Sequence, residues 1–185
     1  MKEFNFKLEP GRKLYNNREY VETFPLISVI VPFYNSEKFI EQTIKSILNQ
    51  TFPSYEILII DDGSTNKIAL EKLEQIKELD KRIKVFHKQN EGLATTRDYG
   101  ASKSDEHARY LMFIDDDDLI EPTFLECGFW TLETNKDAAW AYSDSLGFGA
   151  IEYTWNKYFS SEKMKKENDL VSAALVRKTD FFLVN

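Results

Sequence analysis

The sequence is short of cysteine, glycine and proline. Its 185 residues include 1 Cys, 7 Gly and 5 Pro. One cysteine cannot form an intrachain disulfide, which excludes a disulfide-rich scaffold and favours a reducing, cytoplasmic location. The low Gly and Pro content, together with 42% hydrophobic residues, excludes collagen-like and low-complexity classes. Near Leu125, Phe129 and Trp130, Cys127 is expected to be a small buried hydrophobe.

Excess basic charge and long apolar runs are also missing. Lys and Arg number 24 against 31 Asp and Glu, which gives a formal net charge of -7. Nonspecific nucleic-acid binding needs a basic surface, so nucleic acid is not an expected partner. No apolar run reaches the roughly 18 residues of a membrane span, and the first residues lack the apolar stretch of a signal peptide. The sequence therefore predicts no membrane span and leaves open a peripheral contact with a membrane.

Short apolar runs alternate with helical patterns along the chain. The apolar, β-branched runs predict buried strands at 26–31, 55–60, 83–87 and 110–114. Between them, apolar residues at helical spacing predict helices, the first capped by Ser36 and the second by Ser64 or Thr65. Strands that alternate with helices indicate parallel βαβ units. The predicted fold class is α/β, with a mostly parallel central sheet and helices on both faces.

A single domain is expected to follow a short extension. Residues 1–24 show no clear periodicity and are predicted to form an N-terminal extension, while residues 25–185 form the domain. The later part is predicted to contain a helix at 122–133, an extended segment at 138–142, a solvated loop at 156–169 and a strand at 170–176. The apolar run at 181–184 normally needs a covering element, so a fragment truncated at its C-terminal end is expected.

Acidic residues gather directly after the predicted strands, at 61–64 and 115–118. Ligands of parallel sheets bind at this edge, and two carboxylates about 5 Å apart repel by about 3 kcal/mol at an effective dielectric of roughly 20. Side chains two apart in an extended segment share a face, so Asp115 and Asp117 are expected to point one way and Asp116 and Asp118 the other, and one face can hold a cation. Oxygen ligands without a His or Cys cluster favour Mg²⁺, Mn²⁺ or Ca²⁺ over Zn²⁺. A solvated acidic loop is the alternative, but two converging acidic turns favour a site for a cation and a diphosphate.

Four residues near these ends each have two interpretations. Asp62 could hydrogen-bond a base or ribose, or belong to a plain β-turn. Tyr34 could stack on a nucleobase or line the core. For His87 and His107, a surface or strand-end position is expected rather than a catalytic role, because no other candidate ligand stands beside either of them in the sequence.

Four segments in order resemble the family 2 glycosyltransferases with a GT-A fold. They are SVIVPFYNSEKFIEQTIKSILNQTF, YEILIIDDGSTN, NEGLATTRDYG and YLMFIDDDDLIEP, and the resemblance runs from Ser28 to Asp118 and more weakly to Arg177. It implies a Rossmann-like nucleotide-sugar-binding domain. It also implies a hexosyltransferase-like enzyme that uses Mn²⁺ or Mg²⁺ and moves a sugar, with inversion, from a nucleotide-sugar donor, expected to be a UDP-sugar, to a hydroxyl group. The acceptor would be a glycan or a lipid-linked molecule, as in polysaccharide biosynthesis.

The resemblance also implies roles for individual residues. Asp117 would be the closest metal ligand of the family's DXD-type region, with Asp115 as a second ligand. Asp115 or Asp116 would face the ribose and diphosphate, and Asp62 would lie near the uracil of a UDP-sugar. Arg97 would lie near the donor phosphates, although an ordinary ion pair explains it equally well. The full set implied at the nucleotide-sugar site is Pro32, Phe33, Tyr34, Asp62, Arg97, Asp115 and Asp116.

No catalytic base can be assigned from the sequence. In the family it comes from an acidic pair downstream of the region that matches 170–177, and the sequence ends at Asn185. Asp144 is expected to be an exposed loop carboxylate. A noncatalytic nucleotide- or metal-binding module is therefore the alternative function. The sequence does not fit a phospho-receiver domain, because it lacks the Thr and Lys expected at later strand ends. It does not fit a nucleotidyltransferase either, because no Gly-rich basic loop follows the first strand.

Overall fold

The structure is a computed structural model that describes residues 24–148, 152–155, 160–166 and 173–184. Apart from Phe24, the predicted extension at 1–24 lies outside the described residues. The described strands are β1 (Ile27–Phe33), β2 (Tyr55–Asp61), β3 (Ile83–His87), β4 (Tyr110–Phe113), β5 (Trp140–Tyr142), β6 (Ser145–Gly147), β7 (Tyr153–Trp155) and β8 (Ala174–Arg177). The described helices are α1 (Ile40–Leu48), α2 (Lys67–Lys77), α3 (Leu93–Ser102), α4 (Phe124–Thr134), α5 (Ser161–Met164) and α6 (Lys178–Val184).

A central sheet of six strands has the order β3-β2-β1-β4-β8-β5. The first four of these strands are parallel, and β8 runs antiparallel to both β4 and β5. Every residue of β1 and β2 is buried, as their apolar sequences predict for the centre of a parallel sheet. Strands β6 and β7 form a separate antiparallel pair. The predicted α/β class with a mostly parallel sheet is confirmed.

Helices cover both faces of the sheet, as predicted. On one face Val29 and Val31 of β1 belong to the core that also contains the buried residues of α1, α2 and α4. On the other face Ile30 belongs to a smaller core with Ala101 of α3 and, at its edge, Phe181 of α6. Alternate residues of a strand point to opposite faces, so β1 must be apolar on both sides.

Gly100 sets the distance between α3 and the sheet. A Cβ atom at Gly100 would lie 2.4 Å from Cγ2 of Ile30 and 3.1 Å from Cγ1 of Ile60. Any side chain larger than the hydrogen of glycine would therefore displace residues of β1 or β2. This close approach brings α3, which carries Arg97, next to the carboxyl ends of the strands.

The segments after β5 depart from prediction. The loop predicted at 156–169 contains the short helix α5 among its described residues. The strand predicted at 170–176 is observed at 174–177, and residues 170–172 lie outside the described residues. The apolar run at 181–184 forms the end of α6.

Ser36 does not cap the first helix, contrary to prediction. Helix α1 begins after Phe39, whose side chain makes no capping bond. The side chain of Ser36 instead hydrogen-bonds Asp116. The prediction was wrong because a tertiary partner competes for the hydroxyl group.

The predicted cap of α2 is also corrected. Asn66 is the N-cap, and its Oδ1 accepts a hydrogen bond from the backbone N of Ile68 at 3.0 Å. Neither Ser64 nor Thr65 serves as the cap, because Ser64 Oγ accepts instead from the backbone N of Asn35.

Cys127 is exposed, so its predicted burial is wrong. Leu125, Phe129 and Leu132 form the buried face of α4. Two residues after Leu125, at about 100° per residue, Cys127 points away from that face.

No helix among the described residues is both long enough and apolar enough to cross a membrane.

Candidate functional site

The carboxyl ends of β1, β2 and β4 border one cleft of about 590 Å³. Parallel pairing brings these ends together, with Phe33 of β1 opposite Asp61 of β2. The cleft is lined by Pro32, Phe33, Tyr34, Ser36, Asp62, Asn90, Gly92, Leu93, Thr96, Asp115, Asp116 and Asp117. The two acidic turns predicted from the sequence therefore lie on the same side of the molecule and face a common space.

Tyr34 lies in this cleft with half of its surface exposed, at 50%. The alternative that it lines the core is therefore wrong. Phe33 beside it is 1% exposed and anchors the end of β1 in the core. The exposed ring is free to present a flat face to a ligand.

The acidic loop after β4 is a turn and not an extended segment. The backbone N of Asp118 donates to the carbonyl of Asp115 at 3.2 Å. The expectation that Asp115 and Asp117 share one face while Asp116 points the other way is corrected, because all three line the cleft. The turn in the chain, and not strand alternation, places all three residues along one cleft.

Arg97 reaches the acidic loop from α3. Its Nη2 donates to Oδ1 of Asp115 at 2.6 Å. The Nε of Arg97 is buried and has no hydrogen-bond partner among the described residues. The ion pair with Asp115 therefore holds Arg97 beside the cleft. Oδ1 of Asp115 already accepts a hydrogen bond from Arg97, whereas Oδ2 does not.

Asp116 differs from its neighbours in its environment. Burial is the main cause that raises the pKa of its carboxyl to about 6; the charges of Asp117 and Asp115 add to the increase, and the hydrogen bond from Ser36 partly offsets it. Its carbonyl oxygen accepts from Thr43 Oγ1 of α1 at 2.9 Å. Asp117, by contrast, has an exposed side chain.

Asp62 is 5% exposed and densely hydrogen-bonded. Lys88 Nζ donates to its Oδ1 at 2.7 Å, and the backbone N atoms of Glu91 and Gly92 donate to Oδ1 and Oδ2 at 3.0 Å and 2.9 Å. Burial alone would raise the pKa of Asp62, but these hydrogen bonds outweigh it and lower the pKa below its usual value. Asp62 is thus an ionised acceptor at neutral pH.

Asn35 ties the loops after β1 and β2 together. Its backbone N donates to Ser64 Oγ at 2.9 Å, and its Oδ1 accepts from the backbone N atoms of Thr65 and Asn66 at 2.9 Å and 2.8 Å. It adopts a φ of 49°, in the left-handed region that Asn tolerates better than most residues. Both sides of the cleft are held in register by this residue.

Gly63 allows a third loop to approach the first two. Its φ is 74°, and a Cβ there would lie 2.8 Å from the backbone N of Asn90.

Sequence reasoning did not single out the cleft residues Asn90, Gly92, Leu93 and Thr96, nor the neighbouring Lys88. The segment NEGLATTRDYG was the signal that could have found most of them, since it carries the family resemblance.

Both histidines lie at strand ends or on the surface, as expected. His87 ends β3, and its Nδ1 lies 2.8 Å from Oδ2 of Asp61. His107 stacks on Phe24 with ring centroids 4.4 Å apart. The carboxylate of Asp144 is in an exposed residue, also as expected.

The acidic loop fits a divalent cation that is shared with a ligand. Within the part of the chain that the structure describes, no group of three or more His, Cys, Asp or Glu side chains converges as a metal site. Mg²⁺ and Mn²⁺ are commonly held by one or two carboxylates together with phosphate oxygens. The exposed Asp117 and the remaining oxygen of Asp115 supply that number of donors.

The chain resembles known glycosyltransferases along most of its length. An uncharacterized glycosyltransferase of Rickettsia bellii is 42% identical over 110 residues, covering 60% of this chain and 15% of the relative. TuaG of Bacillus subtilis, named for teichuronic acid biosynthesis, is 39% identical over 103 residues, covering 55% of this chain and 40% of the relative. The matched part of the chain thus spans less than half of the length of each of these relatives.

A solved structure, TarS 1-349 of S. aureus in complex with UDP-GlcNAc, superposes with a TM-score of 0.63 at 24% identity. The superposed part covers 83% of this chain and 45% of the TarS chain. This likeness confirms the expected GT-A fold. The family described as glycosyl transferase family 2 matches residues 28–176. The chain therefore belongs to glycosyl transferase family 2.

Proposed function

We propose that this chain binds the nucleotide-sugar donor, a UDP-sugar, of an inverting, divalent-metal-dependent glycosyltransferase. The acceptor is a hydroxyl group of a glycan or lipid-linked molecule, and the location is the cytoplasm. The observation that supports the proposal most directly is the single cleft shared by Asp62 and the acidic turn at Asp115–Asp117. One cleft can bind a base at one end and a diphosphate at the other.

In this proposal, Tyr34 stacks on the base, and Pro32 and Phe33 shape the floor beneath it. Asp62 accepts a hydrogen bond from the base. Asp116 faces the ribose, and Asp117 with Asp115 holds Mn²⁺ or Mg²⁺. The ion would offset the negative charge that develops on the leaving diphosphate. Arg97 orients Asp115 and places a positive charge near the phosphates.

Uridine nucleotides are the first ligands to test. The similar TarS structure contains UDP-GlcNAc, and a carboxylate acceptor suits the N–H of uracil. We expect UDP, measured by calorimetry, to bind more tightly with Mn²⁺ than in EDTA. The Asp117→Ala variant should lose this metal-dependent gain, with a decrease in metal affinity of about tenfold or more.

Asp137→Ala is the matched control, because Asp137 is an exposed aspartate that follows α4 and is not among the residues that line the cleft. It should bind UDP and Mn²⁺ as the wild type does. Equal UDP affinity with and without metal, unchanged in Asp117→Ala, would contradict the proposal.

The alternative function is a nucleotide-binding module without catalysis. The cleft itself is sufficient for this function, because binding a nucleotide needs only the residues that line it. Incubation with UDP-sugars separates the two functions, because release of free sugar or UDP above the rate of the Asp117→Ala variant requires catalysis. Binding without any turnover would favour the module.

A further inference from the structure

The β6–β7 hairpin presents aromatic side chains to solvent. Tyr153 and Trp155 lie two positions apart on β7, so they share one face of the hairpin. Tyr153 is 56% exposed and Trp155 is 36% exposed. Leaving large rings in water is costly, and neighbouring exposed rings often mark a surface that binds a ligand or a partner.

Gly147 fixes the position of the Tyr153 ring. The two residues are directly opposite each other, and a Cβ atom at Gly147 would lie 2.0 Å from Cε1 and 2.3 Å from Cδ1 of Tyr153. The ring therefore lies over the glycine, in the space that any other side chain at this position would fill. Ser145, which is also small, is opposite Trp155. These four residues form the aromatic face of the hairpin, and a ring held in this way loses little conformational freedom on binding.

The hairpin begins at the sheet edge that carries the cleft. Strand β8 is antiparallel to both β4 and β5, so β4 and β5 run in the same direction and end at the same edge. Phe113 of β4 and Tyr142 of β5 both pair with Ala174, which places these two strand ends at one level, about 10 Å apart across β8. Because β5 lies beyond β4 in the sheet order, the hairpin begins on the side of the acidic turn, away from Asp62.

Polar groups border the aromatic face. Asp144 directly precedes β6, Glu152 directly precedes β7, and both residues are exposed. A pyranose ring has a face of C–H groups, which packs on the negative face of an aromatic ring. Its hydroxyl groups point outwards and donate well to carboxylates. An accessible ring between hydrogen-bond acceptors therefore suits a sugar better than it suits an apolar protein segment.

We propose that the aromatic face of the β6–β7 hairpin binds the acceptor, and that this acceptor is a glycan with a pyranose ring stacked on Tyr153. The inference rests on the proposed function, because a glycosyltransferase needs a surface for its acceptor beside the donor. The donor diphosphate and this surface would lie along one edge of the sheet, with the surface on the side of the acidic turn. Tyr153 orients the acceptor there and takes no part in the chemistry.

Binding to an array of immobilised oligosaccharides tests this inference. The array would carry α- and β-linked oligomers of glucose, N-acetylglucosamine, galactose and mannose, and the labelled chain would be applied without UDP or metal. We expect the wild type to bind a subset of these glycans. In a titration with the soluble form of the glycan that binds best, Tyr153→Ser should lower the affinity about tenfold or more.

Gly147→Ala tests the same surface while keeping every aromatic ring. The added methyl group would displace the ring of Tyr153, which is the far end of a flexible side chain, so the hairpin should still form. Glycan affinity should fall about as far as in Tyr153→Ser. Leu146→Ser is the matched control, because Leu146 is 71% exposed on the opposite face of the same hairpin, where it pairs with Thr154. This variant should bind the glycan as the wild type does.

A measurement on the wild type alone covers the case in which the variants do not fold. In saturation-transfer NMR, saturating the aromatic protons of the protein should transfer magnetisation to the C–H protons of one pyranose face. Transfer that is spread evenly over the glycan would overturn the inference, as would a wild type that binds no glycan on the array.

The other possible occupant of the aromatic face is a second copy of the chain. A concentration-dependent dimer in sedimentation velocity that Tyr153→Ser abolishes would overturn the inference in favour of that copy. Titration with UDP and Mn²⁺ keeps the two proposals apart. Normal UDP binding without glycan binding would overturn this inference alone, whereas a wild type that does not bind UDP, with or without Mn²⁺, would contradict the proposed function.

Discussion

At the scale of single residues, Asn35 has two separable roles at the cleft. Its left-handed backbone conformation costs most L-residues about 1 to 2 kcal/mol, and glycine tolerates it. Its side-chain oxygen accepts two backbone hydrogen bonds from the loop after β2. The first role concerns the conformation of one residue, whereas the second links two loops.

Substitutions can separate these roles. We expect Asn35→Gly to lose the side-chain bonds but keep the backbone conformation, and Asn35→Ala to lose both. Asn35→Ala should therefore have a free energy of unfolding about 1 kcal/mol below that of Asn35→Gly in urea denaturation. Both should bind UDP more weakly. Asn49→Ala, at an exposed position with φ of -85°, is the control, and identical stability of the two Asn35 variants would contradict this account.

At the scale of elements, α1 supports the acidic loop through a polar stripe. Thr43 and Ser46 lie one turn apart on the same face of α1, and Gln50 continues the stripe just beyond the C-cap Asn49. Each contacts the backbone of the segment after β4: Thr43 Oγ1 donates to the carbonyl of Asp116, Ser46 Oγ accepts from the N of Ile120 at 3.3 Å, and Gln50 Nε2 donates to the carbonyl of Glu121 at 2.7 Å. The helix thus holds the loop by its main chain and leaves the carboxylates to the cleft.

Thr43→Val should loosen this loop without changing the volume of the side chain. The carbonyl of Asp116 loses one hydrogen bond, which is typically worth about 0.5 to 1.5 kcal/mol. We expect UDP binding with Mn²⁺ to weaken about three- to tenfold, while UDP binding in EDTA changes little. Thr131→Val on the exposed side of α4 is the control. Equal weakening with and without Mn²⁺ would show that Thr43 does not act through the metal loop.

At the scale of the whole molecule, Glu133 links α4 to the sheet. Its carboxylate accepts hydrogen bonds from Tyr110 and Arg109 at the start of β4, and from Lys136 at 3.0 Å. Burial would raise the pKa of Glu133, but these bonds outweigh it and hold the pKa at about 2. The ionised form is therefore bound more strongly in the folded chain than in the unfolded chain, where the pKa is about 4.3.

Linkage fixes how this group affects stability with pH. A lowered pKa stabilises the fold above about pH 4.3, and this contribution is lost as the pH falls towards 2. We expect Glu133→Gln to lower the free energy of unfolding by about 2 to 3 kcal/mol at pH 7, and the difference from wild type to shrink as the pH falls and to disappear below about pH 2. Glu78→Gln, at an exposed position after α2, should show no such difference. A constant difference at all pH values would contradict the assignment.

The parallel half of the fold could be predicted because each of its strands is buried on both faces and so reads as a continuous apolar run. The antiparallel direction of β8 could not be predicted in this way, because a short apolar run does not indicate whether the strand is parallel or antiparallel to its neighbours. The acidic ends of the strands predicted which residues meet at the cleft. Their partners were less predictable: Arg97 and Asp115 are 18 positions apart, and Lys88 and Asp62 are 26 apart. Such pairs depend on tertiary contact, which local patterns do not encode.

The position of β8 between β4 and β5 imposes an order on assembly during synthesis. Strand β5 is made before β8, yet its neighbour in the sheet is β8. Strand β5 can pair only after the ribosome has added the 32 positions from Tyr142 to Ala174. At roughly 5 to 20 residues per second, this synthesis takes about 2 to 6 seconds. During that interval β4 has an unpaired edge, so a nascent chain paused between the two strands offers a hydrogen-bonding template to chaperones and to other unfinished chains.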